Sequence, residues 1–257
     1  MTQEELLLQR VLERPDDDAP RLAFADYKSQ QGDPRGEFIR VEVGLARMDK
    51  DTDPNYLRFA DTSDALADEY GTVFAGAIAE MVDKYYFDRG FVELVELSAR
   101  RFLETAAQLF SLAPIRHLNL KGGKSLIPEL FSSPSLERIR SLSIRNWRLT
   151  DRDIEVLAAS PYLKDLRWLS LADNLIGLPG VEALAVSQIL PSLQYIVFSG
   201  NPVNPSELYA NDQGFIVGSW MEPDGVLLEE KYGPIRWLHA KPAPITQSDI
   251  PPNRFMV

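Results

Sequence analysis

Five short segments of this chain follow one pattern, apolar-x-x-apolar-x-apolar. They are Val92/Val95/Leu97, Ile115/Leu118/Leu120, Ile139/Leu142/Ile144, Leu166/Leu169/Leu171 and Leu193/Ile196/Phe198. Their last positions are 23, 24, 27 and 27 residues apart. A unit of that length cannot bury its own apolar face, so successive copies must stack on one another to share a core. Side chains alternate along each strand, which sends the apolar pair into that core and the intervening residue outward. The stretches between, about 101–110, 125–131, 150–159 and 178–188, carry apolar residues at helical spacing. Pro114, Pro134, Pro161 and Pro191 stop each one before the next strand. The expected fold is therefore α/β, a short solenoid of parallel strands with outer helices.

Asn174 and Asn201 stand three residues after Leu171 and Phe198. An amide there can bond the carbonyls and N–H groups of a buried turn. Arg100, Gly123 and Trp147 occupy the same offset in the first three units, which predicts a looser, less regular front half.

Residues 1–90 read as an all-helical module. Leu7, Leu8, Val11 and Leu12 form one helical face, and Pro15 ends it. Asp16-Asp17-Asp18 offers N-caps to a second helix near 19–30. A third follows Pro34, over about 34–48, and a fourth runs over about 55–83. Three adjacent carboxylates point in different directions, so the Asp16–Asp18 run reads as a cap and not as a metal site. Asp26 and Glu37 are expected to pair with Arg21, Arg35 or Arg40 and lock helices together.

The stretch Leu166-Arg-Trp-Leu-Ser-Leu-Ala-Asp-Asn174, followed by Gly180-Val-Glu-Ala-Leu-Ala185, resembles ribonuclease-inhibitor-like leucine-rich repeats. The stretch Arg14-Pro-Asp-Asp-Asp-Ala-Pro-Arg-Leu-Ala-Phe-Ala-Asp-Tyr27, then Gly32-Asp-Pro-Arg-Gly-Glu-Phe-Ile-Arg40, resembles a bacterial repeat-companion domain found ahead of repeat arrays. The first resemblance implies protein or peptide binding, and neither implies a catalytic mechanism. The resulting organisation is a helical repeat-companion module (1–90), a leucine-rich-repeat solenoid of about five strands (91–204), and a C-terminal cap with a proline-rich tail (205–257).

Acidic and basic residues number 20 and 11 in 1–90, 11 and 12 in 91–203, and 7 and 4 in 204–257. That balance disfavours nucleic acid as a partner, because phosphate binding needs a basic field. The chain has no cysteine and only two histidines, His117 and His239, which removes thiol chemistry and a histidine-rich metal site. No metal or cofactor is expected. The acidic start, Met-Thr-Gln-Glu-Glu5, is unlike a secretory signal, and no apolar run approaches the ~20 residues that cross a bilayer. A cytoplasmic setting without membrane contact follows as the expectation.

The outward strand positions form three columns: Leu94, His117, Ser141, Trp168 and Tyr195; Glu96, Asn119, Ser143, Ser170 and Val197; and Ser98, Lys121, Arg145, Ala172 and Ser199. Trp168 and Tyr195 lie one strand apart, about 4.8 Å, and Trp, Tyr and Arg are enriched at binding hot spots. The candidate binding residues are His117, Asn119, Lys121, Arg145, Trp168 and Tyr195, on a face reading as poor in acids and suited to a carboxylate-bearing peptide. His117 lacks partners for a triad, and Lys121-Gly-Gly-Lys124-Ser125 lacks the phosphate-loop spacing, so the chain does not read as an enzyme. Beyond Pro205, residues 215–221 and 225–229 read as strands around Glu222-Pro-Asp-Gly225, with 232–239 as a third, covering the open end of the last repeat. Pro242, Pro244, Pro251 and Pro252 predict an extended tail. The leading reading is a non-catalytic scaffold binding a protein or peptide. The alternatives are an inhibitor or regulator of a partner enzyme, of the immunity type, and a substrate or recognition body for a peptide-modifying enzyme.

Overall fold

Thr2 starts the first helix, α1 (Gln3–Glu13), with a reciprocal cap: its hydroxyl accepts from the Glu5 N–H at 3.2 Å and the Glu5 carboxylate accepts from the Thr2 N–H at 2.7 Å. Asp17 caps α2 (Asp18–Gln30) by accepting from the Ala19 N–H at 2.9 Å. Pro34 precedes α3 (Arg35–Leu45), which is followed by α4 (Tyr56–Ala75) and the short α5 (Ile78–Met81). The computed structural model describes residues 1–203, 207–210, 216–219, 228, 230–235 and 237. It is a mixed α/β structure with a six-stranded, mostly parallel sheet in the order β1-β2-β3-β4-β5-β6. The chain forms two compact bodies, Met1–Val95 with Ala107–Ile115, and Glu96–Ala106 with the residues from Arg116 onward.

In the N-terminal body, Leu7, Val11, Phe24, Ala25, Ile39, Val43 and Phe91 share one apolar cluster, with Phe24 edge-on to Phe91 at 5.4 Å. The expected all-helical module is corrected here. Lys84–Asp88 is a strand, β1, and the helix expected over 55–83 ends at Ala75, where Gly76 takes φ +55°. The Tyr85-Tyr86-Phe87 run favours an extended chain over a helix. Arg89 (φ +48°) and Gly90 (φ +78°) then turn the chain into β2 (Phe91–Ser98). A Cβ on Gly90 would sit 2.5 Å from Ile39 Cγ1, so α3 presses directly on this turn.

The turn carries a buried ion network. Arg21 and Glu93 are both fully buried and paired, and Arg21 also donates to the Pro15 carbonyl at 2.7 Å. Arg89 joins them, 3.3 Å from Glu93 and 3.2 Å from Asp18. Of the pairings expected for Asp26, the one to Arg40 forms, at 2.6 Å and joining α2 to α3, while Arg21 turns to Glu93 instead; Asp18 bonds Arg47 at 2.6 Å.

The C-terminal body repeats one local geometry. Strands β3 (His117–Lys121), β4 (Ser141–Ser143), β5 (Trp168–Ser170) and β6 (Tyr195–Val197) are parallel, with Leu118, Leu142, Leu169 and Ile196 in one register row. Those four residues are buried, and so are Leu120, Ile144, Leu171 and Phe198 two positions on. Two residues further, Gly122, Asn146, Asp173 and Gly200 all have φ between +50° and +72°. Gly, Asn and Asp are the residues that enter this left-handed region at least cost. The chain then returns through α6 (Ala99–Leu112) after β2, a 3-10 turn (Lys124–Leu126) with α7 (Ile127–Phe131) after β3, α8 (Asp151–Ala158) after β4, and α9 (Leu178–Val186) after β5.

Side chains bond the segments together at both ends. Asn174 Oδ1 accepts from the Trp147 and Leu149 N–H groups at 2.9 and 3.1 Å, and its Nδ2 donates to the Ile144 and Leu171 carbonyls at 3.1 and 2.8 Å. Asn201 repeats this one segment later, accepting from Ile176 and donating to Leu171 and Phe198. Where the sequence lacks asparagine, Trp147 donates its indole N–H to the Leu120 carbonyl at 3.0 Å. A Cβ on Gly123 would fall 2.9 Å from the Trp147 ring, so the glycine makes room for the indole. At the helix ends, Ser160 donates to the Phe131 carbonyl and Ser187 to the Ala158 carbonyl, each at 2.6 Å.

Trp237 packs 6.3 Å from Phe198, and Leu228 and Ile235 are also buried. The strand expected over 215–221 is present as Ile216–Ser219 (β8), which pairs antiparallel with Glu207–Ala210 (β7); the other two expected strands are corrected, because Leu228 and residues 230–232 are helical and residues 233–235 form no strand. Leu228, Glu230 and Lys231 are good helix formers, which outweighs the short apolar pattern read as a strand. The expected turn at 222–225 and the proline-rich tail lie outside the described residues.

Candidate functional site

The outward face of β3–β6 holds the residues singled out from the sequence. The register pairs His117 with Ser141, Ser141 with Trp168 and Trp168 with Tyr195. The next column pairs Asn119, Ser143, Ser170 and Val197 in the same way. Burial of one face holds this register, because a one-residue slip would turn the Leu118–Ile196 row outward.

The six candidates divide into two groups. Trp168 and Tyr195 are neighbours on adjacent strands, both half-buried, and burial raises the Tyr195 phenol above its ordinary pKa. The other four are engaged within the chain. His117 is only 1% exposed, with Nδ1 2.7 Å from Ser141 Oγ, so it is a packing residue and not a docking one. Asn119 donates to Glu96 at 2.7 Å, and Lys121 pairs with the other Glu96 oxygen at 2.5 Å. Arg145 pairs with Asp173 at 3.3 Å. The expectation of a face poor in acids fails at these two carboxylates. Asp173 escaped notice because it stands in the left-handed turn after the strand, from which it reaches back across to the neighbouring segment. Leu94, expected to point outward, is fully buried.

A second row was missed. Arg116, Arg140, Arg167 and Gln194 each stand one residue before the first column. The Arg140 N–H donates to the Arg116 carbonyl at 2.8 Å, the Arg167 N–H to the Arg140 carbonyl at 2.8 Å, and the Gln194 N–H to the Arg167 carbonyl at 2.9 Å. Three arginines therefore occupy one station on successive segments. Arg116 is buried, while Arg140, Arg167 and Gln194 are half-buried. The signal was legible as Ile-Arg, Ile-Arg and Leu-Arg at the start of three repeats.

Among the described residues, no group of three or more His, Asp or Glu side chains is placed to hold a metal ion, and no helix is long and apolar enough to cross a membrane. The architecture defines a mixed α/β protein that presents a parallel-sheet face. No protein-family profile matches the chain, and no curated protein matches it in sequence.

Proposed function

We propose that this chain is a non-catalytic scaffold that binds a protein or peptide through the outward strand face around Trp168 and Tyr195. In this reading residues 91–204 are a short leucine-rich-repeat solenoid, and the N-terminal body is a repeat-companion module. The repetition of strand, left-handed turn, carbonyl-bonding side chain and helix supports the solenoid. The observation that carries the binding reading is the register pairing of Trp168 with Tyr195, two half-buried aromatic side chains side by side on one face. Such side chains supply large apolar area at small conformational-entropy loss, the property of interface hot spots.

The test is co-purification of a tagged full chain from its native host, with Trp168→Ala and Tyr195→Ala alongside. The proposal expects a defined protein retained by the parent chain and depleted roughly tenfold or more by each variant, a loss of about 1.4 kcal/mol. Equal retention by folded variants, judged by unchanged melting, overturns this face as the docking site.

A further inference from the structure

We infer that the N-terminal body carries an anion site at Arg35, the first residue of α3, and that its ligand is a carboxylate. The site lies wholly within that body and is independent of the strand face. The Arg35 guanidinium lies 5.5 Å from the Phe24 ring and 5.2 Å from the Phe91 ring, and both rings are buried. Its Nε is buried with no hydrogen-bond partner, while its Nη groups keep access to solvent. Among the described residues, no carboxylate or carbonyl forms a hydrogen bond or ion pair with this guanidinium.

Arg21 and Arg89, buried in the same body, are treated differently. Arg21 also leaves its Nε unpaired, but its Nη groups donate to the Asp88, Arg89 and Pro15 carbonyls and to Glu93. Arg89 donates to the Pro15 and Asp16 carbonyls, Asp18 and Glu93. Arg35 has only the two ring faces, which attract a cation but do not accept its directed hydrogen bonds as a carboxylate does. Burial holds its guanidinium below the ordinary arginine pKa, against the pull of Asp33 and Glu4. Those two acids are engaged elsewhere. Lys28 holds both, Glu4 at 2.7 Å and Asp33 at 3.0 Å, and Asp33 also accepts from the Arg35 backbone N–H at 2.9 Å. Gly36 fixes the place of the guanidinium's backbone, since a Cβ there would meet the Ala25 carbonyl at 2.6 Å and α3 therefore presses on α2. A planar guanidinium takes a carboxylate bidentately. A carboxylate fits better than a phosphate, because Glu4 and Asp33 repel a dianion about twice as strongly as a monoanion.

Proton–nitrogen NMR of the arginine Nε–H groups in the full chain tests this. Acetate, a short polyglutamate peptide and inorganic phosphate are each added at constant ionic strength, with chloride as the control. The Arg35 signal is assigned by its loss in Arg35→Lys. The expected result is a saturable shift of that signal with acetate and with the peptide, and none with chloride. A midpoint per carboxylate roughly tenfold lower for the peptide supports the site with a partner protein's carboxylates as its ligand, and equal midpoints support it with a free small acid. A drift that never saturates and is equal in acetate and chloride overturns the site. Saturation by phosphate at a roughly tenfold lower midpoint than acetate overturns the carboxylate assignment. Thermal melting separates binding from packing. Acetate should raise the midpoint of the parent chain above its value in chloride and leave that of Arg35→Met unchanged. A parent midpoint equal in the two salts, with Arg35→Met melting far below it, makes Arg35 a packing residue and overturns the inference.

Discussion

Replacing Asn174 with alanine removes a buried side chain that bonds five backbone groups. The residue is 3% exposed, and its amide serves two N–H groups, those of Trp147 and Leu149, and three carbonyls, those of Ile144, Leu171 and Ala172. Carbonyls can accept elsewhere, but the two N–H groups lose the acceptor they share. Each buried donor left unsatisfied costs about 1–3 kcal/mol, so Asn174→Ala should lose about 3–5 kcal/mol. Asn201→Ala should lose less, about 1–2 kcal/mol, because Asn201 accepts from one N–H and is partly exposed. Guanidinium unfolding followed by tryptophan fluorescence isolates the effect, since Trp147, Trp168 and Trp237 belong to the C-terminal body and no tryptophan stands in residues 1–115. A loss below about 1 kcal/mol for Asn174→Ala, or a larger loss for Asn201→Ala, would refute the reasoning.

Glu42 tests the other body. Burial pushes its carboxyl up to about 7, aided by Asp88 and Asp64 and opposed by the Ser63 hydroxyl and the Gly90 N–H. The native state therefore binds more protons than the unfolded state between the ordinary carboxyl value and 7, and stability contributed at low pH is lost as pH rises through 7. Glu42→Gln should flatten that dependence and stabilise the N-terminal body above pH 7 by up to about 3 kcal/mol, read by far-ultraviolet circular dichroism of the melt. Glu93→Ala should destabilise the same body by about 3–5 kcal/mol, because it leaves Arg21 charged and buried; a change below 1 kcal/mol in the same assay contradicts this. Gly200→Ala should lower the fluorescence-detected transition of the C-terminal body, since Gly200 has φ +72° and a Cβ would meet Asp173 Oδ1 at 2.2 Å; an unchanged midpoint counts against close stacking there.

The apolar rhythm of the repeats was enough to locate five strands and most helices, because burial on one face forces a period that any observer of the chain can count. What it left unread was held by residues acting across segments. Trp147 looked like a departure from the asparagine pattern, yet its indole N–H reaches the carbonyl that an asparagine would, and Gly123 looked like a loose turn, yet it makes room for that ring. The β1 strand hid at the end of a helical run because Ile78–Met81 still reads as a helix and only Tyr85-Tyr86-Phe87 signals the change. In the candidate site, alternation correctly sets Trp168 beside Tyr195, but Leu94, His117, Ser141, Ser143 and Ser170, read as outward, are buried, and the partners of the rest were not legible. Glu96 and Asp173 reach their cations from a neighbouring strand and a turn, and no pattern within one segment shows that. The arginine row lay one residue before the template and so outside it.

Photo-crosslinking tests the central claim most directly. A benzoyl-phenylalanine at position 195 lies on the proposed docking face, and one at position 175, where Leu175 is exposed in the turn region, lies off the strand face. The account predicts that a bound protein or peptide is captured from position 195 and not from position 175. Capture from position 175 alone would contradict it.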